Sequence, residues 1–522
     1  MYGVMHTKKF FLSGDKLVYL IAAIMSIVFS ISTILHNSLI NPDAICYLFS
    51  ADEMKLGIHS AMNICAQAKW PFYSAMVYAL SKIISVSTLN SAYILDSLFT
   101  LISVLTFIAI VNYISPKSRL VWLGALVILL AHEFNSVRQD IIRDHGYWAF
   151  YLLSIYFLLH YFREPQIRYA LLWNISAIIA TLFRVEGAVF LLFIPFLVIP
   201  AKEVGWAKRS VPTKPRDDRS SGLFLRIKSY IQLNLINITA LIILGVLFHR
   251  NLHVGRIDEL QFQLMSGISN SIHHFTEMKQ SLAKYILTEE SLRDCGIILC
   301  LTLIFSYVIN VVSNLSFIYT ALIIYAWIKQ LMPKEFSVKL VLYGYLLINI
   351  VVSTIFYTEH LFLSKRYLIA LSLVLMIWVP FALDELFKKL KPKLSMALII
   401  LIFLTSIGGI ISFGYSKKYI RQAGDWMATN VPEQASVYSN DYQLMYYSQH
   451  FGKAIFSIAK NYFDIHSIEN DKWKQYDYLA IRLNKYDSPE NFKIVNQIRY
   501  PLAYVFANNR GDQIRIYQRK SL

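Results

Sequence analysis

Along the first 415 residues, apolar positions fall into long runs broken by short charged segments, and after that the pattern changes character. Runs of about 17–25 apolar residues have the length a helix needs to cross a bilayer, where each segment must satisfy its own backbone polar groups. They predict eleven spans, at 17–35, 92–114, 119–134, 147–162, 169–183, 187–200, 231–249, 300–328, 338–357, 366–383 and 394–413. The apolar run 296–329 is nearly continuous and would reach about 50 Å as one helix. It reads as one tilted span with an interfacial extension, or as a hairpin turning at Ser313-Asn314. One span is preferred, because a hairpin would put the basic cluster Lys388, Lys389, Lys391 and Lys393 outside.

Three segments fall outside this framework. The loop 37–91 is long and half apolar, and reads as helices lying on the membrane surface. The second is the outer loop 250–294, and the third is the tail 416–522. In the tail, Ile420, Ala423, Trp426 and Met427 mark a helix ending near Asn430-Val431-Pro432. Strand-like runs follow at 436–438, 478–482, 502–507 and 513–517. The last two are joined by Asn508-Asn509-Arg510-Gly511, a turn-forming sequence. The fold class is therefore a polytopic α-helical membrane protein. Residues 1–415 form its membrane part, with outer loops at 37–91, 135–146 and 250–294, and 416–522 form a small α/β domain.

Composition supports the membrane reading. Of the 522 residues, 56% are hydrophobic and 16% charged, against roughly 25% charged in ordinary soluble domains. Mean hydropathy is +0.46. The 50 basic residues outnumber the 33 acidic ones, giving a net charge of +17. Nucleic-acid binding is not needed to explain that excess. The predicted inner segments hold Lys117 and Arg119, Arg163 and Arg168, Lys329, Lys334 and Lys339, and a basic loop over 201–230, as the positive-inside rule expects. That places the N-terminus in the cytoplasm and the tail outside. The apolar stretch after Lys8, Lys9 and Lys16 lacks a small-x-small cleavage site and reads as a retained first span. Of four cysteines, Cys295 and Cys300 read as packing residues. Cys46 and Cys65 share one outer loop and are either a disulfide or two thiols.

Ionisable groups at the ends of membrane helices are costly, which makes each a candidate for function. Asp43, in Asn41-Pro42-Asp43-Ala44, suits a general base and equally suits a helix N-cap. Arg138, Arg143, Asp144, His145 and Tyr147 lie between spans three and four. They suit a phosphate, whose oxygens match guanidinium forks, or internal Arg–Asp pairing. Arg184 and Glu186 sit where spans five and six meet, as ligand groups or as a local ion pair. Lys365, Arg366 and Tyr367 open span ten, against the positive-inside trend, and either bind an anion or snorkel to lipid headgroups. His132-Glu133 and His273-His274 have no convincing metal-ligand spacing.

Taken in order, these elements resemble the GT-C superfamily of membrane glycosyltransferases, which includes the protein O-mannosyltransferases and the lipid A aminoarabinose transferases. Asp43 resembles the first-loop catalytic aspartate, and Trp70-Pro71-Phe72-Tyr73 the start of the interfacial helix. Arg143-Asp144-His145-Gly146-Tyr147 resembles the second outer-loop motif, and Arg184-Val185-Glu186-Gly187 the short turn between spans five and six. Ser364-Lys365-Arg366-Tyr367 is similar to a late Arg-Tyr motif, and the stretch 426–447 to the first helix and strand of the outer domain. In one respect the sequence departs from the pattern. Many relatives follow the first acid with a second, whereas Ala44 follows Asp43, and Asp52-Glu53 comes later.

The resemblance implies an inverting glycosyltransferase of the bacterial cell envelope. It would move a hexosyl or pentosyl group from a polyprenyl-phosphate donor to a lipid, polysaccharide or protein acceptor at the periplasmic face of the inner membrane. Asp43 would be the catalytic base. Arg143, Arg184, Lys365 and Arg366 would bind the donor phosphate, supported by Arg138, Asp144, His145, Tyr147, Glu186 and Tyr367. A divalent metal is allowed, with no ligand set assigned. The alternative is a transporter or flippase for a lipid-linked or anionic substrate. That class favours mid-membrane polar groups and internal repeats, and here the polar groups gather at one face with no repeat.

Overall fold

The computed structural model describes residues 16–36, 39–206, 227–237, 257–333, 335–411, 416–458, 472–487 and 489–519. Most of span 231–249, Lys334 and the core of the basic loop 201–230 lie outside these residues. Two compact units emerge. One comprises Met1–Ile31, Asp96–Arg138 and Arg143–Ile410, and the other Ser32–Leu95, Gln139–Ile142 and Ile411–Leu522.

The first unit is helical. Among the described residues of the chain, five helices are long and apolar enough to cross a membrane: Lys16–His36, Thr88–Ile114, Glu289–Leu315, Phe336–His360 and Lys365–Lys389. At ~1.5 Å per residue each can span a ~30 Å hydrocarbon core. The protein is thus an integral membrane protein. Shorter apolar helices run over Ser118–Leu129, Ile167–Phe183, Gly187–Phe196, Phe317–Ile328 and Pro392–Ile407. Lys16–His36 shows how such helices are built. Val18, Ala22, Ser26 and Ser30 recur every four residues on a buried stripe, while Leu17, Leu20, Ile24 and Ile31 stay exposed. That apolar exposure suits lipid. By contrast, Lys365–Lys389 is almost wholly buried and forms the centre of the unit.

Three expectations need correction. The apolar run 296–329 is not one helix: Cys295–Leu315 ends at Ser316, and Phe317–Ile328 begins after it. Ser316 takes φ +72°, and its hydroxyl accepts the Tyr319 N–H, so the residue both breaks one helix and caps the next. Hydropathy does not register this break, because the residues on either side remain apolar. Second, the expected loop 250–294 contains a 29-residue helix, Ile257–Tyr285. Third, Cys300 is exposed, whereas Cys295 is buried as expected.

In the second unit, helix Pro42–Glu53 packs on Phe72–Ile83, and Pro71 occupies the N-cap position of the latter. Cys46 and Cys65 form a disulfide with 6.1 Å between their Cα atoms. Buried Glu53 pairs with Lys453 and accepts from Ser60, so this acid is spent on structure. The tail supplies helix Lys418–Asn430 and a four-stranded sheet in the order β1-β2-β4-β3. Its strands are β1 (Val437–Ser439), β2 (Tyr478–Leu483), β3 (Leu502–Ala507) and β4 (Gln513–Gln518). β1 and β2 are parallel, and the β3–β4 hairpin closes where expected. In that turn the Asn508 side-chain oxygen accepts three successive N–H groups, from Arg510, Gly511 and Asp512. Leu479, Ile481, Trp473, Val495 and Tyr517 form the core beneath the sheet.

Candidate active site

In the first unit the site is built where helix Ile167–Phe183 gives way to Gly187–Trp206. The turn between them is so tight that a Cβ on Gly187 would sit 2.8 Å from the Thr181 backbone. Helix Asp144–Arg163 approaches the same place because Gly146 leaves room for the Phe183 ring, 2.4 Å from where a Cβ would be. These two glycines bring Asp144 to Arg184. The Arg184 Nη1 bonds to Asp144, and its Nη2 and Nε donate to the two oxygens of Glu186 at 2.5 and 3.3 Å.

The guanidinium also lies over the rings of Tyr367 at 4.5 Å and Tyr147 at 5.8 Å. Burial works against its charge, but Asp144 and Glu186 outweigh that and raise its proton affinity well above that of a free arginine. Burial likewise opposes ionisation of Glu186. Arg184, with help from Arg143, overrides it and holds the carboxyl at about 2.

A small, partly open cleft lies beside this cluster. Arg184, Glu186, Arg366, Tyr147 and Tyr367 line one part of it. Phe190, Val352, Phe356, Leu363 and Ala370 provide apolar wall, and Asn349 and Ser353 add two polar groups. Chemically, the cleft offers fixed positive charge next to hydrocarbon, which suits an anionic headgroup on an apolar chain. Arg143 stands at the N-cap of helix Asp144–Arg163, with a buried Nη1 that has no hydrogen-bond partner among the described residues.

Other candidates are placed elsewhere. Lys365 turns to buried Glu133, with Nζ 2.5 Å from Oε1, while its carbonyl accepts from Asn314. Arg366 alone of that pair lines the cleft. Arg138 is fully buried against helix Lys16–His36, donating to Ser26, Ser30 and Asn135. Burial lowers its proton affinity. His145 is equally enclosed, bonded to Thr100 and the Val137 carbonyl. Asn349 and Ser353 were missed in the sequence, and Glu133 was weighed there only beside His132 for a metal. The first two carried a signal, as polar residues four apart in an otherwise apolar span.

In the second unit Asp43 is half-buried in the first turn of Pro42–Glu53. Asn41 holds the N-cap position but makes no cap bond. Its side chain exchanges two hydrogen bonds with the Ile141 backbone instead, at 2.8 and 3.2 Å. Ile40 is fixed as well, its N–H donating to the Tyr447 hydroxyl and its carbonyl accepting from Gln443. Asp43 therefore sits on a pinned helix start, where the helix dipole favours a carboxylate. Among the described residues, no group of three or more His, Cys, Asp or Glu is placed to hold a metal.

No family model matches the chain, and no curated protein matches it in sequence. Solved structures do match. ArnT from Cupriavidus metallidurans, bound to undecaprenyl phosphate, gives a TM-score of 0.54 at 12% identity, over 97% of this chain and 98% of its own. The oligosaccharyltransferase of Archaeoglobus fulgidus, in complex with zinc and sulfate, gives 0.52 at 14% identity, over 95% and 72%. The oligosaccharyltransferase AglB of the same organism, with an inhibitory peptide and a dolichol phosphate, gives 0.50 at 11% identity, over 90% and 70%. At these identities the likeness establishes the fold. It is the fold that this chain shares with ArnT and the oligosaccharyltransferase.

Proposed function

We propose that the protein is an inverting glycosyltransferase. It moves a hexosyl or pentosyl group from a polyprenyl-phosphate donor to a lipid, polysaccharide or protein acceptor at the outer face of a membrane. The observation that carries this reading is the cleft, which joins Arg184 and Arg366 to an apolar wall and so suits a lipid phosphate. That the fold is shared with proteins captured with undecaprenyl phosphate and dolichol phosphate supports it. Asp43 takes the proton of the acceptor hydroxyl as its oxygen bonds to the anomeric carbon. The bond from that carbon to the phosphate oxygen breaks, and polyprenyl phosphate departs with its charge stabilised by Arg143, Arg184 and Arg366.

Residues 1–415 form the membrane part, the N-terminus is cytoplasmic, and 416–522 form an extracytoplasmic domain, in a bacterial inner membrane. The Cys46–Cys65 disulfide supports this orientation, because such bonds persist on the oxidising side of a membrane.

The test compares wild type with Asp43→Asn in membranes supplied with radiolabelled polyprenyl-phosphate sugars. Loss of base catalysis should lower transfer by at least about 10²-fold at normal abundance. Equal transfer would remove Asp43 from the mechanism. Relocation of labelled lipid with no new glycosidic bond would favour a flippase.

A further inference from the structure

A guanidinium meets an anion best along an edge that presents two parallel N–H groups. In Arg184 the Nε–Nη2 edge is taken by Glu186, and the Nη1 on the other edge is held by Asp144. Tyr147 and Tyr367 place their rings against the guanidinium. No complete edge is left for a substrate.

The two carboxylates differ in how firmly they are held. The Asp144 side chain is 4% exposed, whereas that of Glu186 is 30% exposed and lines the cleft. We propose that Glu186 is a positioning residue occupying the edge of Arg184 that the donor phosphate takes, and that it swings off when the phosphate arrives. This rests on the reading of the cleft as a donor site. The phosphodiester of a polyprenyl-phosphate sugar has two non-bridging oxygens, which match the spacing of the Nε–Nη2 edge. One anion replaces another, so the Arg184 charge is never left bare in a buried site. Asp144 holds the guanidinium in place throughout. Arg143, whose charge already acts on Glu186 and whose buried Nη1 lacks a partner among the described residues, receives the displaced carboxylate.

An ordinary ligand-supporting residue weakens binding when it is neutralised. Here the sign reverses, because Glu186 competes with the substrate. The full-length protein in lipid nanodiscs is titrated with a short-chain polyprenyl phosphate, comparing wild type with Glu186→Gln, Glu186→Ala and Asp144→Asn. Either Glu186 variant should bind about tenfold more tightly, equivalent to about 1.4 kcal/mol. Asp144→Asn should bind no more tightly than wild type. Equal or weaker binding by whichever Glu186 variant accumulates, with wild type binding normally, overturns the proposal alone. No binding by any of the four overturns the donor reading, and the proposal with it.

Discussion

Arg138 and Arg184 lie on short connections within the same unit, both nearly inaccessible, and their surroundings differ in kind. The hydrogen bonds of Arg138 all go to neutral acceptors, the hydroxyls of Ser26 and Ser30, the Ser26 carbonyl and Asn135. The rings of Phe29 and Phe134 lie beside it. Arg184 has two carboxylates, two tyrosine rings and an open cleft. The first arrangement ties the segment after helix His132–Ser136 to helix Lys16–His36, and Arg138 does not line the cleft. The second surrounds its charge with two carboxylates, one of which lines the cleft. The lesson is that burial of a membrane arginine does not assign its role. The partners do, and above all whether one of them faces open space.

The same conservative change at each position tests that contrast. Arg184→Lys keeps the charge and loses the fork, so transfer should fall by about 10²-fold with abundance retained, measured with labelled donor in membranes. Undiminished transfer would erase the distinction. Arg138→Lys should do the reverse. Losing bonds to Asn135 and the serines should cost about 2 kcal/mol of stability, read as a lowered unfolding midpoint, with transfer per folded molecule unchanged.

The smallest effect is in acid. The Glu186 carboxyl is lowered from 4.5 to about 2 by the fold, and a depressed carboxyl adds stability above its unfolded value that is lost as pH falls through the folded one. The stability difference between wild type and Glu186→Gln should therefore hold at neutral pH and shrink between 4.5 and about 2. The difference between wild type and Arg138→Lys should stay flat over that range, because the bonds of Arg138 involve no carboxylate.

Much of this was legible in the chain, and the remainder was not for identifiable reasons. The β3–β4 hairpin was readable because alternation and the Asn508–Gly511 turn are local signals. The turn at Arg184 was readable because the two spans leave almost no loop. Arg138 and Arg143, five residues apart, look alike in sequence. What separates them is contact with Ser26 and Ser30, more than a hundred residues away. Lys365 and Arg366 are adjacent, and only Glu133, 232 residues distant, shows that Lys365 turns aside. The break at Ser316 is a backbone event inside an apolar run, to which hydropathy is blind.

The start of helix Pro42–Glu53 has a consequence for the order of synthesis. Asp43 leaves the ribosome early, yet the groups that pin the chain just before it come 100 and 407 residues later, at Ile141 and Tyr447. A nascent chain inserting span by span completes the Arg184 turn well before residue 447 exists. Until Gln443 and Tyr447 have been made, the helix start that carries Asp43 lacks two of the contacts that fix it. The last part of the chain thus completes a helix start that the first part began.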